Sequence, residues 1–226
     1  MLIPIRLPIC NAYLLRGDRP ILIDTGRPKD LPRIEAALAR HDIRIADLAL
    51  ILHTHAHWDH CGSSATLARL TTAPLAVHRA EAEQMRRGSN GPLRPTNLTA
   101  WLLHWFLNGY YPAAEPTVLI DSERNLAEFG VDARIVSTPG HTPGSITVLT
   151  GAGEAIVGDL IMGGWWGGKV FRTRPGLHYF ADDVTQVYES LRKVLALQPK
   201  RIWPGHGGPL APDAVAQWLK RRARTP

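Results

Sequence analysis

The sequence predicts an α/β (α+β) fold in which two sheets pack face to face with helices outside, built as one domain over residues 1–226. Three observations carry this. Each half of the chain runs strands and then helices, a pattern that pairs two sheets and covers their outer faces. The residues that carry chemistry fall at the ends of short apolar runs, where open α/β sheets hold their sites. At 226 residues, 45% hydrophobic and 20% charged, the chain has the length and composition of one sizeable core.

Leu2 to Ile9, Ala12 to Arg16 and Ile21 to Asp24 read as strands, the last two joined by the turn Gly17-Asp18-Arg19-Pro20. Leu31, Ile34, Ala37 and Leu38 recur at helical spacing, so Leu31 to Arg40 is predicted helical. Leu48 to Leu52 is a short apolar run bounded by polar residues, the signature of a buried strand. Gly62 to Leu70 and Arg79 to Arg87 read as helices, with Pro74 to Val77 a strand between them. Ser89 to Pro95 is a Gly/Pro loop leading into Leu98 to Leu107, where Trp101, Leu102, Trp105 and Phe106 lie at helical spacing. This helical insertion, around 89–115, interrupts the strand–helix alternation. Its aromatics either pack or line a pocket, with the 97–108 helix as a lid. In the second half, strands fit Thr117 to Ile120, Val131 to Ser137, Ser145 to Leu149, Ala155 to Val157 and Arg201 to Trp203. Helices fit Val184 to Leu197 and Asp213 to Arg222.

Twenty-six basic residues against 20 acidic give a formal charge of +6, part of it in Lys220-Arg221-Arg222-Ala223-Arg224. Such a run suits a helix C-terminus and is weak ground for a nucleic-acid partner. Two cysteines, Cys10 and Cys61, make no disulfide framework, and Cys61 reads as a small buried hydrophobe. Arg6 and two prolines interrupt the apolar N-terminus, no cleavage pattern follows, and no apolar run reaches the ~20 residues of a membrane span. The expectation is a cytoplasmic protein with no membrane or nucleic-acid partner, acting on a small-molecule substrate; self-association is left open.

His55-Ala56-His57-Trp58-Asp59-His60 puts three imidazoles and a carboxylate in six residues, directly after an apolar strand. Such groups have no packing purpose and would need many hydrogen-bond partners if buried; they are ligands for zinc, and also suit iron or manganese. His141, in Thr138-Pro139-Gly140-His141-Thr142-Pro143-Gly144, and His206, in Pro204-Gly205-His206-Gly207-Gly208, each follow a predicted strand within Gly-flanked turns, and Asp159 ends the Ala155 to Val157 strand. His55 and His57, two apart, project to one side of an extended segment; Asp59 and His60 serve a neighbouring point. Two divalent ions follow. His55, His57 and His141 hold one; Asp59, His60 and His206 hold the other; Asp159 bridges them, and a shared water becomes hydroxide near neutral pH. His41, His53, His78 and His104 read as ordinary satisfied polar residues.

These residues resemble the metallo-β-lactamase superfamily. Thr54 to Ser63 follows its pattern Thr-His-X-His-X-Asp-His-X-Gly-Gly, with Ser63 at the last glycine. Asp24-Thr25-Gly26, Gly140-His141-Thr142, Gly158-Asp159 and Gly205-His206-Gly207 fall in the family's order. The resemblance implies a four-layer αββα sandwich with a dinuclear site at one edge and metal-dependent hydrolysis. The Asp159 bridge and His60 are similar to the hydroxyacylglutathione hydrolase (glyoxalase II) and lactonase branches. Met162 stands where acyl-homoserine lactonases carry a Tyr, which weakens the lactonase arrangement. Gly167-Gly168-Lys169-Val170-Phe171 is faintly similar to a segment on which the thioesterase branch places a glutathione-binding Lys and aromatic.

The expected reaction is attack of a metal-bridging hydroxide on the carbonyl of an ester, thioester or lactone, with zinc as the default metal. Asp59 and His178 are the catalytic candidates, His178 as an oxyanion donor. Trp165, Trp166, Lys169 and Tyr179, on a long loop after Asp159, are the substrate-binding candidates. The rival readings are a mononuclear-iron persulfide dioxygenase-like enzyme, a phosphodiesterase, and a non-catalytic metal-binding module.

Overall fold

The computed structural model describes residues 1–107 and 109–222, with the backbone alone at 103 and 105–107. Its first sheet has six strands in sequence order: β1 (Leu2–Arg6), β2 (Asn11–Leu15), β3 (Ile21–Ile23), β4 (Leu50–Leu52), β5 (Leu75–His78) and β6 (Val118–Ile120). β1 to β3 are antiparallel, and β3 to β6 run parallel. Helices α1 (Leu31–Ala39), α2 (Trp58–Cys61), α3 (Ser64–Leu70), α4 (Ala82–Arg87) and α5 (Leu98–Leu107) fall between its later strands. The second sheet holds β7 (Arg124–Asn125), β8 (Ala133–Ser137), β9 (Ile146–Thr150), β10 (Glu154–Gly158) and β13 (Arg201–Pro204), in the order β13-β10-β9-β8-β7. Between β10 and β13 lie a hairpin, β11 (Met162–Trp165) with β12 (Val170–Gly176), and α6 (Val184–Ala196); α7 (Pro212–Arg222) follows β13.

Period-two alternation sorts the strand residues into layers. Leu14, Leu22, Ile51, Leu75 and Val77 pack on Ile34 and Leu38 of α1, Leu67 of α3 and Met85 of α4. The alternate residues Tyr13, Leu15, Ile21, Ile23, Leu50 and Leu52 meet Ile135, Ile146, Val148 and Ile156 of the second sheet. Ala155, Val157 and Ile202 face outward onto Val187, Leu191 and Val194 of α6 and Val215 and Leu219 of α7. Three apolar interfaces between four layers make the expected αββα sandwich. Because both faces of each central strand are covered, these strands read as continuous apolar runs. α6 shows the local logic of a helix: the Asp183 carboxylate accepts from the N–H groups of Thr185 and Gln186, and Val187, Ser190, Leu191 and Val194 form its buried stripe.

The ends of the predicted elements shift by a few residues, and three local readings change. Trp58–Cys61 is a helical turn, so Asp59 and His60 leave it in different directions rather than from a loop. Met162–Gly176, read as loop, is a twisted hairpin with positive φ at Gly164, Trp166, Gly167, Gly168 and Phe171; its glycines and exposed aromatics hide any alternation. The two-residue β7 had no apolar signal. The insertion helix α5 is present, with Leu98, Trp101 and Leu102 exposed and Ala100 buried. The side chains of Trp105 and Phe106, and residues Ala223 and Arg224 of the basic run, lie outside the described residues. Among the described residues, no helix is long and apolar enough to cross a membrane.

Candidate metal centre

β4, β8, β10 and β13 all deliver functional side chains just past their C-terminal ends, on one edge of the sandwich. Parallel pairing of β3 with β4 sets Ile23 beside Leu52, which brings Asp24 next to Thr54. The Asp24 carboxylate accepts from the Thr54 N–H and hydroxyl, both at 2.8 Å, and from His60 Nδ1 at 2.8 Å. Glycine supplies room rather than flexibility at Gly205, where a Cβ would stand 2.2 Å from Asp159 Oδ1 and 2.6 Å from His60 Cε1. At Gly140, φ is +135° and a Cβ would lie 2.4 Å from the Val187 nitrogen, so the turn before His141 tolerates no side chain.

Asp159 Oδ2 is the geometric centre of the cluster. It lies 3.4 Å from His60 Nε2, 3.3 Å from His206 Nε2, 3.2 Å from His178 Nε2, 3.7 Å from His141 Nε2 and 3.8 Å from His55 Nε2. His57 Nδ1 faces His141 Nε2 at 3.0 Å, and Asp59 Oδ2 is 3.4 Å from His206 Nε2. Four candidate ligand groups have donor atoms within 4.8 Å of one another: His55/His57/His141, His55/His60/Asp159, Asp59/His60/His206 and His141/Asp159/His178. The seven residues expected to bind metal are therefore brought together, and His178 joins them. It stacks on His206 with ring centroids 5.2 Å apart, so its ring nitrogen belongs to the cluster floor as well as to the cavity.

The other nitrogen of these rings is already engaged. His141 Nδ1 donates to the Phe180 carbonyl at 2.8 Å, His206 Nδ1 to that of Ile9 at 2.5 Å, and His60 Nδ1 to Asp24. Thr54 spends its proton on Asp24, so His55 Nδ1 donates to Thr54 Oγ1 at 3.1 Å. Each bond fixes a tautomer with the Nε2 lone pair turned inward. His55 Nε2, His60 Nε2, His206 Nε2 and Asp159 Oδ1 are buried without any hydrogen-bond partner. Such orphaned atoms are costly unless they have an ion to bind; the donor set of imidazole and carboxylate fits divalent cations.

Burial pushes His55 and His141 well below the ordinary imidazole pKa and His57 to about 4, so these rings stay neutral, as ligands must. Burial would lower His60 and His206 too, but Asp159, with Asp24 and Asp59 at His60 and Asp59 at His206, outweighs it and raises both. Burial opposes charge on Asp159 as well, yet the surrounding His206, His178 and His60 hold its carboxyl well below the usual range. Burial lowers His178.

Sequence reasoning missed one supporting acid. Glu81, fully buried at the start of α4, accepts from the Ala56 N–H at 3.0 Å and the Gly144 N–H at 2.9 Å. It ties the His55–His57 segment to the turn that carries His141. Asp24 was visible as a strand-end acid and in the motif Asp24-Thr25-Gly26, without a role; nothing in the sequence marks Glu81. His53, by contrast, is a satisfied core residue, bonded to the Ala76 carbonyl at 3.0 Å and Ser64 Oγ at 2.7 Å. Cys61 packs in the core and donates to the His55 carbonyl.

A cavity of about 190 Å³ opens over the cluster and is lined in part by Asp59, Asp159, Trp166, His178 and Tyr179. Trp165 and Lys169, expected to bind substrate, do not line it. Trp165 sits exposed on the hairpin against Phe171 and under Arg174, and Lys169 is exposed at the hairpin turn. No described side chain of α5 lines the cavity either. The segment before α5 does: Asn90 and Leu93 form part of the wall. Thr96 is bonded through its N–H to the Tyr179 carbonyl at 2.9 Å and through its hydroxyl to that of His178 at 2.7 Å.

An αββα sandwich whose strand ends converge on a buried His/Asp cluster with unpartnered donor atoms defines a metal-binding protein of the metallo-hydrolase class. The family model described as the metallo-beta-lactamase superfamily matches residues 5–206, and the chain belongs to that superfamily. It is 31% identical over 201 residues to a beta-lactamase-like protein 2 homolog of Drosophila melanogaster, covering 87% of this chain but only 58% of that protein. It is 27% identical to the probable metallo-hydrolase MJ0888 of Methanocaldococcus jannaschii, covering 87% of each. It is also 27% identical to an atrochrysone carboxyl ACP thioesterase of Aspergillus fumigatus, over 95% of this chain and 56% of that one. Among solved structures, the MIM-2 metallo-beta-lactamase shares the fold, with a TM-score of 0.71 at 22% identity over 98% of this chain and 84% of that one.

Proposed function

We propose that this protein is a dinuclear metal-dependent hydrolase of an ester, thioester or lactone, with a thioester or ester favoured. One observation carries the reading: a buried carboxylate oxygen of Asp159 within 3.8 Å of five imidazole nitrogens, beneath an open cavity. His55, His57 and His141 would hold one cation, Asp59, His60 and His206 the other, with Asp159 shared. Zinc is the default for this donor set; iron and manganese use the same ligands. When bound, such ions supply Lewis acidity, which acidifies water and offsets charge on a carbonyl. The chain's own part is orientation. The Nδ1 bonds of His55, His60, His141 and His206 fix those rings, and Asp59 reaches the cavity beside His206. Tyr179 accepts the Trp166 N–H on its hydroxyl at 3.2 Å, leaving the phenolic proton to donate into the cavity. Burial keeps His178 neutral, with one ring nitrogen toward Asp159. A thioester is favoured because the relative named as a carrier-protein thioesterase spans most of this chain and because Met162 replaces the lactonase tyrosine.

The test is metal content by mass spectrometry alongside hydrolysis of a panel of esters, thioesters and lactones, with oxygen uptake recorded. About two ions per chain, turnover on the panel and no oxygen consumption are expected. Asp59→Ala and His206→Ala should each retain about one ion. One iron with oxygen uptake would replace the reading with a dioxygenase.

A further inference from the structure

The walls of the cavity differ in chemistry from its floor. Among the described residues fourteen line it, and neither Lys nor Arg is among them. The charged or chargeable groups are Asp59, Asp159, His57, His178 and His206, all of them in the cluster at the base. Above that base the lining is Ile9, Trp58, Leu93, Met162, Trp166 and Phe180, with Asn90 and Tyr179 as the polar exceptions. The acceptor oxygens of both are engaged: Asn90 Oδ1 accepts from the Trp58 N–H at 2.7 Å, and the Tyr179 hydroxyl accepts from Trp166 while keeping its own proton to donate. Trp166 adopts φ of +51°, a conformation rare for a bulky residue. It stands at the cavity rim, where strain of this kind marks functional positions.

An anionic substrate needs a fixed cation or several N–H donors to replace its hydration, because an unpaired carboxylate is strongly disfavoured against an apolar wall. Arg94 lines an adjoining, smaller cleft, which shares His57, Asn90, Leu93 and Phe180 with the cavity, and is paired with Asp182 at 3.7 Å. An aromatic and aliphatic wall instead matches a neutral hydrocarbon or aryl group, which gains by leaving water.

Resting on the hydrolase reading above, we propose that the group carried beyond the scissile carbonyl is an uncharged, apolar acyl chain, so that the substrate is a neutral apolar acyl ester or thioester rather than a carboxylate-bearing one. Glutathione thioesters and β-lactams, which carry carboxylates, are then poor substrates.

The discriminating pair is phenyl hexanoate and phenyl hydrogen adipate, which differ by a terminal methyl against a carboxylate, together with their S-phenyl thioester counterparts. With metal-loaded protein, kcat/KM is expected to be at least ~10-fold higher for the neutral member, through KM, since the difference lies in ground-state and transition-state binding alike. Leu93→Arg should raise the rate on the adipate and lower it on the hexanoate, while Arg94→Ala leaves the ratio unchanged. Binding of the corresponding anilides, read by quenching of tryptophan fluorescence, should show the same ~10-fold preference without turnover. An adipate rate equal to or above the hexanoate rate, or an adipate rate that falls in Arg94→Ala, would overturn the assignment. If neither ester is turned over but hexananilide still binds more tightly, the hydrolase reading falls and the neutral cavity stands.

Discussion

His55 and His141 are backed by neutral groups, the Thr54 hydroxyl behind His55 and the Phe180 carbonyl behind His141, and His57 faces His141. His60 is backed by the Asp24 carboxylate, and His206 stands 3.4 Å from that of Asp59. The two sets sit side by side, use the same residue type and are equally buried, yet burial lowers the first set while carboxylates raise the second. The difference teaches that a histidine's charge here is set by the carboxylates around the ring: Asp159 at Nε2 of both His60 and His206, joined by Asp24 behind His60 and by Asp59 beside His206. A carboxylate-backed imidazole is the stronger donor to a cation, so the two proposed metal positions should differ in affinity and in response to acid.

The severest way to break the comparison is to remove what the two positions share. Asp159→Ala should deplete both ions and lower turnover by about 1,000-fold, equivalent to about 4 kcal/mol of transition-state stabilisation. Loss of one ion only, measured by mass spectrometry, would show that Asp159 is not a bridge.

Acid separates the positions next. In chelator-stripped protein, His57 stays neutral down to about 4 while the unfolded chain takes up a proton near 6.5. Its contribution is therefore complete above about pH 6.5 and is lost as pH falls toward 4, up to about 3 kcal/mol. His60, raised in the folded state, runs the other way: its contribution is complete below the unfolded value and fades as pH climbs through the folded one. Thermal melts across pH should show the acid loss diminished in His57→Ala and the alkaline loss diminished in His60→Ala. Identical profiles for the two variants would dissolve the distinction.

Single supports sharpen the contrast. Asp24→Asn should weaken metal binding at the second position by ~10–100-fold and at the first less, through Thr54 and His55. Glu81→Gln should do the reverse and more mildly, by ~10-fold at the first position, because it replaces one of two acceptors that join Ala56 to Gly144. Titration with a chromophoric chelator reads both. An effect of Glu81→Gln on the second position would assign Glu81 to general stability.

The candidate metal cluster was legible because every proposed ligand lies past an apolar strand and beside turn residues, a local pattern that survives without coordinates. The four-layer packing was legible for a related reason: strands apolar on both faces announce cover on both sides. What stayed hidden depended on contacts between distant segments. Glu81 lies in an ordinary amphipathic helix and acquires its role only when β8 and β9 bring Gly144 to it. The hairpin of Met162–Gly176 is rich in glycine and exposes Trp165, Trp166 and Phe171, so no period marks it as strand. For the same reason Trp165 and Lys169 looked as close to the site as Trp166, although only Trp166 reaches the cavity.

One seam gives the molecule a workshop. The stretch before α5 is sewn to the far wall by main-chain bonds, with Thr96 on Tyr179, Ala181 on Arg94, and Pro95 bridged to Phe180. Backbone stitching accepts nearly any side chains along its length. Between the side-chain anchors Asn90 and Thr96, the 91–95 strap is thus a swappable cassette, one through which selection or an engineer can recut the substrate mould while the proposed ligand scaffold beneath stays as it is.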